Sequence, residues 1–446
     1  MSFNPLSAAA IIFSLVAFFD TNVTSAQTVI PSAGLATVSL SIDSAPLKLG
    51  EMMPTDDAID LFTKRIDGKP QDVANRVTLG RLYLRKAKEE DDFGSFHKAE
   101  QNLRQAVENN KSHLPARLYL AQSLMARHAF ADALELADLI LSRRPDNAVA
   151  WSIRGDCQMS LGRYDDAARS YAELLQREKS AATIARNAHL LEVRGRSDEA
   201  LTLMLKARHD AESLGLSDRE LAWYDLRVAA MHQTRGRLAH ALRELAQSLS
   251  RRADYAPAMA AKAQVTALQG DLPLALTLYQ EAVQRHGEPP MMAGLADVYQ
   301  AMGKTELAEQ WYEKTDQAMA EEALTAAAAH YREVAKFYCD TDRKPERALE
   351  LAKEDLKLRR DVQSLDTLAF AQYRNGQFTQ AAESVTQALA PGTRDANLYY
   401  HAGLILEAMG ESVDAATSYR EALAINPTFS LLSAPDAKRR LLALEK

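Results

Sequence analysis

Apolar side chains recur along most of the chain at intervals of three and four residues, which places them on one face of an α-helix. Each amphipathic segment is roughly a dozen residues long, and such segments come in consecutive pairs. The pattern therefore predicts an all-α protein built from antiparallel helix pairs.

A glycine followed five residues later by an alanine recurs along the chain and marks one position in each helix pair. Eight of the 18 glycines occupy this position. With Ala133 and Ala348, which lack the glycine, successive alanines are 33, 34, 40 or 41 residues apart. The glycine–alanine pairs are Gly94/Ala99, Gly162/Ala167, Gly195/Ala200, Gly236/Ala241, Gly270/Ala275, Gly303/Ala308, Gly376/Ala381 and Gly410/Ala415. Such a regular spacing predicts a solenoid of internal repeats.

The residue types in each repeat suit the turn and the packing of a helix pair. Glycine adopts the left-handed conformation past a helix C-terminus at lower cost than residues with a Cβ. Another small residue precedes most of the alanines by twelve positions, which lets the two helices approach closely. The large residues expected to fill the gap to the next repeat are Tyr171, Tyr279, Tyr312 and Tyr419.

Residues 150–179 and 399–427 carry a resemblance to the tetratricopeptide repeat (TPR) family, with Trp151, Gly155, Gly162, Tyr164, Ala167 and Tyr171 at the signature places of the first segment. The resemblance implies a right-handed α-solenoid of about ten helix-pair repeats. We expect the array over 55–430, with a half-repeat at 55–71, repeats over about 72–430 and a C-terminal capping helix at 431–446. Extra residues predict a lengthened helix or a break near 210–220, and a second lengthening before Ala348.

The N-terminus predicts export. Residues 6–19 are apolar or small, too short a run to span a bilayer comfortably but of the length of a signal-peptide core. We expect a signal peptide at 1–26 and a flexible linker at 27–54. No lysine or arginine precedes Lys48, so an uncleaved anchor at 6–19 is the alternative, and only then would the protein be attached to a membrane.

Composition and charge narrow the function further. A net charge of −7 and an isoelectric point near 5.9 argue against a nucleic-acid partner. The two cysteines, Cys157 and Cys339, are expected to be buried small hydrophobes. The sequence contains no HExxH, nucleophile elbow, phosphate loop or dinucleotide fingerprint, and the repeats leave no room for a catalytic domain. We therefore predict no enzyme activity, no cofactor and no metal.

The resemblance implies a concave groove lined by the first helix of each pair. The residues expected there are Gln122, Asp156, His189, Trp223, Gln264, Asp297, Lys336, Asp366, Phe370, Tyr373, Arg374 and Tyr400. The aromatic members are expected either to anchor a partner segment or to pack against their own neighbours. The sequence thus predicts a non-catalytic scaffold or adaptor for proteins or peptide segments in the periplasm, cell envelope or extracellular space. The alternative is a glycan- or lipid-binding accessory subunit of an envelope enzyme or export machine.

Overall fold

The computed structural model describes residues 44–90, 93–326 and 330–446, so the predicted signal peptide at 1–26 lies outside the described residues. These residues form an all-α solenoid in which consecutive helices pack as antiparallel pairs, as the repeat pattern predicts. The chain divides into two compact units, and the boundary between Arg154 and Gly155 falls inside a helix instead of near 210–220.

Where the structure describes it, the first unit contains six complete helices and the start of a seventh. Their bounds are α1 (Ser44–Glu51), α2 (Thr55–Gly68), α3 (Val73–Glu90), α4 (Phe93–Asn109), α5 (Leu114–Ala126), α6 (Phe130–Arg143) and α7 (Ala148–Ser160). Helix α2 occupies the position of the expected half-repeat and buries Ala58 and Phe62 completely. A large apolar ring with no exposed surface supplies much of the stabilisation at this end of the solenoid.

Helix α1 lies in the last part of the segment expected to be a flexible linker. The Arg85 guanidinium donates to the Gly50 carbonyl at 3.3 Å, and Arg81 pairs with Glu51. Residues 44–51 are therefore helical and packed against α3, and the linker prediction is wrong for them. Side chains of α3 thus bind polar groups at the C-terminal end of α1. The spacing of apolar residues within α1 does not reveal this pairing.

The second unit continues with sixteen further helices in the described residues. They are α8 (Tyr164–Arg177), α9 (Ala181–Val193), α10 (Ser197–Ser213), α11 (Asp218–Gln233), α12 (Leu238–Arg251), α13 (Ala256–Leu268), α14 (Leu272–Arg285), α15 (Pro289–Ala301), α16 (Thr305–Ala326), α17 (Tyr331–Asp340), α18 (Pro345–Leu358), α19 (Val362–Arg374), α20 (Phe378–Leu389), α21 (Ala396–Ala408), α22 (Ser412–Ile425) and α23 (Ser433–Leu444). From α7 to α22, odd-numbered helices begin the pairs, and α23 occupies the position of the expected cap.

The extra residues of the longer repeats extend helices. Helices α10 and α11 have 17 and 16 residues, and a capping box formed by Ser217 and Glu220 starts α11. Helix α16 has 22 residues. Each lengthened helix adds turns to one element while the next helix still packs against it, so the array continues through both places.

Seven of the eight glycines in the repeated position have a positive φ, as a helix C-terminus followed by a tight turn requires. Gly94 is the exception, because it lies in the first turn of α4. Within helices, Gly155 and Gly403 make room for the rings of Tyr171 and Tyr419: a Cβ at either glycine would come within 2.5 Å of a ring carbon. These tyrosines fill the space inside their own helix pair, so the prediction that they fill the gap to the next repeat is wrong for them.

The second unit closes on itself. Turns inside its first three helix pairs contact the connections that follow α18, α20 and α22. Four hydrogen bonds join them: the Arg360 amide to the Ser160 carbonyl at 2.8 Å, the Val362 amide to the Tyr164 hydroxyl at 2.9 Å, the Thr393 hydroxyl to the Val193 carbonyl at 2.5 Å, and the Asn426 side-chain amide to the Gln233 carbonyl at 2.9 Å. The solenoid from α7 to α22 therefore completes one turn and contacts itself, and we call this closed turn the ring.

Candidate inner face of the second unit

Polar side chains on neighbouring first helices of the second unit bond to one another from α7 to α13 and again from α19 to α21. These links are Asp156 to Arg186 between α7 and α9, Glu192 to Arg227 between α9 and α11, Gln233 to Gln264 between α11 and α13, and Asp366 to His401 between α19 and α21. We call the first-helix side chains on the side of these links the inner face. It contains eleven of the twelve residues expected in the groove, and Gln122 lies on α5 in the first unit, where it is half-buried.

Asp156 is part of the interior of the unit. Its carboxylate accepts hydrogen bonds from Arg186 Nε at 2.9 and 3.0 Å and from the Tyr171 hydroxyl at 2.7 Å. The side chain is 3% exposed and that of Arg186 is 6% exposed. Burial, reinforced by the Asp156 charge, raises the pKa of Tyr171. A carboxylate so enclosed cannot contact a partner, so the prediction for Asp156 is wrong.

Three of the four aromatic residues expected as anchors are also buried. Trp223 packs edge-on against Tyr224, with ring centroids 4.9 Å apart. Phe370 stacks on His401 at 4.0 Å, and the Tyr400 hydroxyl donates to Asp436 of the capping helix at 3.0 Å. Of the two alternatives for the aromatics, packing against their own neighbours is the correct one for Trp223, Phe370 and Tyr400.

Arg374 and Tyr373 lie beside this aromatic cluster. The Arg374 guanidinium is over the Phe370 ring, 4.9 Å from its centroid, and Nε donates to the Cys339 carbonyl at 2.8 Å. An ion pair of 3.3 Å to Asp342 completes its partners. Arg374 thus joins α19 to α17 and its following turn, whereas Tyr373 keeps part of its ring accessible.

Asp297 on α15 and Lys336 on α17 are both half-buried. Burial, aided by the Asp340 charge, raises the pKa of Asp297 to about 6, although the Asp297 carboxylate accepts a 2.6 Å hydrogen bond from Tyr312. Burial lowers the pKa of Lys336, but its pairing with Asp340 outweighs burial and raises the pKa. The Lys336 side chain is nevertheless 44% exposed. Water therefore reaches the Lys336 ammonium group on the inner face.

The remaining expected residues lie on other first helices of the second unit. Gln264 is exposed and bonds to Gln233, His189 is 3.6 Å from Glu192, and Asp366 holds the His401 imidazole at 2.9 Å. The accessible part of the inner face therefore carries amide, carboxylate, amine and phenol groups. Such groups can form hydrogen bonds and ion pairs with a polypeptide.

Sequence reasoning missed the partners that occupy these groups. Arg186 and His401 stand at ordinary helical positions, and a position in a helix does not show that a charge is paired across 30 or 35 residues. The ring contacts at Arg360 and Thr393 were missed for the same reason. Both lie in connections, where the helical period carries no signal.

Models of the tetratricopeptide repeat family match the sequence at three places: residues 92–157, 289–315 and 367–428. The chain is a tetratricopeptide-repeat protein. Each match falls on helix pairs or part of a pair that the structure describes, and those at 289–315 and 367–428 include Asp297 and Phe370 of the inner face.

Two solved structures are similar to this TPR protein at low identity. The crystal structure of the APC/C hetero-tetramer Cut9–Hcn1 is 16% identical with a TM-score of 0.32, over 90% of this chain and 97% of that one. The crystal structure of PilW, a widely conserved type IV pilus biogenesis factor, is 20% identical with a TM-score of 0.40, over 46% of this chain and 92% of that one. No curated protein matches the sequence significantly. Family membership rests on the repeat models.

Two further features of the TPR protein concern membranes and metals. Within 44–90, 93–326 and 330–446, no helix is both long enough and apolar enough to cross a bilayer. In the same residues, histidine, cysteine, aspartate and glutamate side chains do not gather in threes or more where they would hold a metal ion. Cys157 and Cys339 are buried free thiols, as expected.

Proposed function

We propose that this TPR protein is a non-catalytic scaffold that binds an extended segment of another protein on the inner face of its second unit. Membership of the TPR family, whose repeats generally mediate protein–protein interactions, supports protein as the partner. The observation that carries the proposal is the water-accessible polar surface around Lys336 on the inner face.

The chemistry of this surface favours a segment with basic residues. Asp297, Asp340 and Asp366 contribute three carboxylates and Lys336 one ammonium group. Partner lysine or arginine side chains would gain ion pairs there. Binding is therefore expected to weaken as the salt concentration rises.

Site-specific photocrosslinking tests the binding surface. A benzoylphenylalanine at Gln264 reports the inner face, and one at Thr277, exposed on the neighbouring helix α14, is the matched control. We expect crosslinked protein adducts in cells from position 264 and none from position 277. Lys336→Gln and Lys336→Glu should change the yield at 264 without changing the helix content.

Two outcomes would contradict the proposal. Equal adducts from positions 264 and 277 would show that contact is not confined to the inner face. An absence of adducts from position 264 while the protein remains folded in the cell would show that the inner face binds no protein there.

We also propose that the protein acts after export to the periplasm, cell envelope or extracellular space, on the strength of residues 6–19. N-terminal sequencing of the protein isolated from its native cells distinguishes the alternatives. A start at Gln27 is the expected result. A retained N-terminus with membrane association would indicate an anchor, and a retained N-terminus in the cytoplasmic fraction would contradict export.

A further inference from the structure

The contacts that close the second unit follow one register. The hydrogen bonds from Val362, Thr393 and Asn426 reach back 198, 200 and 193 residues. Each joins the turn inside a helix pair, or the residue beside it, to a connection between two pairs. From one contact to the next, the position advances by about one repeat on both contacting parts of the chain. The two parts of the solenoid therefore contact each other along successive repeats.

Three glycines of the repeated position fit this docking. A Cβ at Gly162 would lie 2.4 Å from the Arg360 carbonyl oxygen, and a Cβ at Gly195 would lie 2.2 Å from the Gly392 carbonyl oxygen. At Gly236 the nearest atom would be Asn426 Oδ1, at 2.9 Å. The docked backbone thus occupies the space of the missing side chain.

The other glycines of the series provide a contrast. Gly303 and Gly376 have φ values of 73° and 69°, close to the 71°, 70° and 67° of Gly162, Gly195 and Gly236. A Cβ at either position would meet no atom within 4 Å. The positive φ favours glycine at all five of these turns. Only at the three turns where the ring closes does a neighbouring segment also occupy the space that a Cβ would need.

The closing contacts form a small junction, in which turns and connections meet instead of whole helices. Tyr164 and Val193 are half-buried against an apolar cluster that contains Val362 and Leu398, and the remaining contact is made by hydrogen bonds of turns. Elsewhere the ring is continuous through helices packed along their lengths, such as α11 on α12 and α15 on α16. The junction that buries least surface separates first when a solenoid opens.

We infer that these three contacts act together as a latch, which holds the second unit as a closed ring at rest and opens as one unit to expose the inner face. The inference concerns the ring itself and can be tested without a partner. If the proposed function is also correct, opening of the latch is the step that admits a segment without a free end.

Two backbone amides report the latch directly. The Arg360 amide precedes α19, and the Val362 amide belongs to its first turn, whose amides have no acceptor within the helix. Their hydrogen bonds to Ser160 and Tyr164 cross the latch. Hydrogen–deuterium exchange at single-residue resolution on the full chain should therefore find both amides protected in the wild-type protein.

Gly195→Ala tests whether the contacts act as one unit. Its Cβ would displace the Gly392 carbonyl in the second contact, whereas Arg360 and Val362 lie in the first. We expect exchange of both amides to accelerate by about tenfold or more, because opening the second contact opens the first. Gly376→Ala, with the same φ and an unobstructed Cβ, should leave both exchange rates within a factor of about two.

Thr393→Val keeps the shape of the side chain while removing the hydrogen bond to Val193, and it provides the same test without a new clash. It should accelerate both amides less than Gly195→Ala does. Unprotected Arg360 and Val362 amides in the wild-type protein would overturn the closed ring. Unchanged protection in both Gly195→Ala and Thr393→Val, with the helix content preserved, would overturn the concerted latch.

Discussion

Replacement of Asp156 by alanine tests whether its carboxylate stabilises the fold or binds a partner. Asp156 accepts three hydrogen bonds from Arg186 and Tyr171 inside the second unit. Removal of one partner of a buried ion pair costs about 3–5 kcal/mol, because the charge of the other loses its compensation. The Tyr171 hydroxyl loses its acceptor as well, which adds about 1 kcal/mol. We therefore expect Asp156→Ala to destabilise the second unit by about 4 kcal/mol.

Urea unfolding followed by far-ultraviolet circular dichroism measures this effect. Solenoids need not unfold in a single step, so the midpoint of the transition is the quantity to compare. Tyr171→Phe is the mild control, because it removes one hydrogen bond and leaves the ion pair. The double variant Asp156→Leu/Arg186→Leu removes both charges and should recover at least half of the stability lost in Asp156→Ala.

The ordering of these variants decides the outcome. If Asp156→Ala unfolds at the midpoint of Tyr171→Phe, or if the double variant is no more stable than Asp156→Ala, the buried pair does not stabilise the unit as argued. A fully stable Asp156→Ala that loses crosslinking at Gln264 would instead make Asp156 a binding residue, as the sequence pattern alone suggests.

Three further predictions follow from buried groups. The raised pKa of Asp297 means that the folded state holds the Asp297 proton more tightly than the unfolded state does, so stability falls as pH rises from 3.8 to about 6. Above this range Asp297→Asn should be more stable than the wild type by about 2 kcal/mol, and below it the two should be similar. The midpoints of urea unfolding measure this difference. Alanine normally stabilises a helix relative to glycine, yet Gly403→Ala should lower the melting temperature. The Cβ of the new alanine would lie 2.5 Å from the Tyr419 ring, and such overpacking costs about 1–3 kcal/mol. A higher melting temperature would refute this packing. Burial raises the pKa of the Cys339 thiol, so a thiol-specific reagent should react with it at a measurable rate only in urea, and rapid reaction of the native protein would contradict its burial.

The solenoid could be predicted from the sequence because its physics is local and repeated. The glycine of each turn, the alanine five residues later and the small residue twelve before that alanine act within one helix pair. The regularly spaced glycines from Gly162 to Gly410 therefore identify the fold without any knowledge of distant contacts. Gly94 shows the limit of this reasoning, since a glycine in the same register lies inside the first turn of helix α4.

The inner face could be predicted only in part. The helical period places Asp156, Phe370 and Tyr400 on the face of the first helices, but burial depends on what the next helix presents. Arg186 neutralises Asp156, His401 covers Phe370, and the capping helix supplies Asp436 to Tyr400. Each of these partners is at least 30 residues away in sequence, where the period of a single helix carries no information.

The ring depends on contacts still more distant in sequence. The approach of Gly195 to Gly392 requires the small rotation between neighbouring repeats to accumulate until the solenoid meets itself. Lengthened helices such as α10 and α16 change that rotation at two places. The sequence shows that these helices have extra residues, but the angle each adds is set by side-chain packing in three dimensions.

The distance between Asp165 and Gln363 tests the closed ring most directly. Both residues have exposed side chains, and each is one residue from the 2.9 Å hydrogen bond between Tyr164 and Val362. Spin labels at these positions, in full-length protein with Cys157 and Cys339 replaced by alanine, would be measured by double electron–electron resonance. The closed ring predicts one narrow distribution centred below about 30 Å. A broad distribution at longer distances in the folded protein would contradict it.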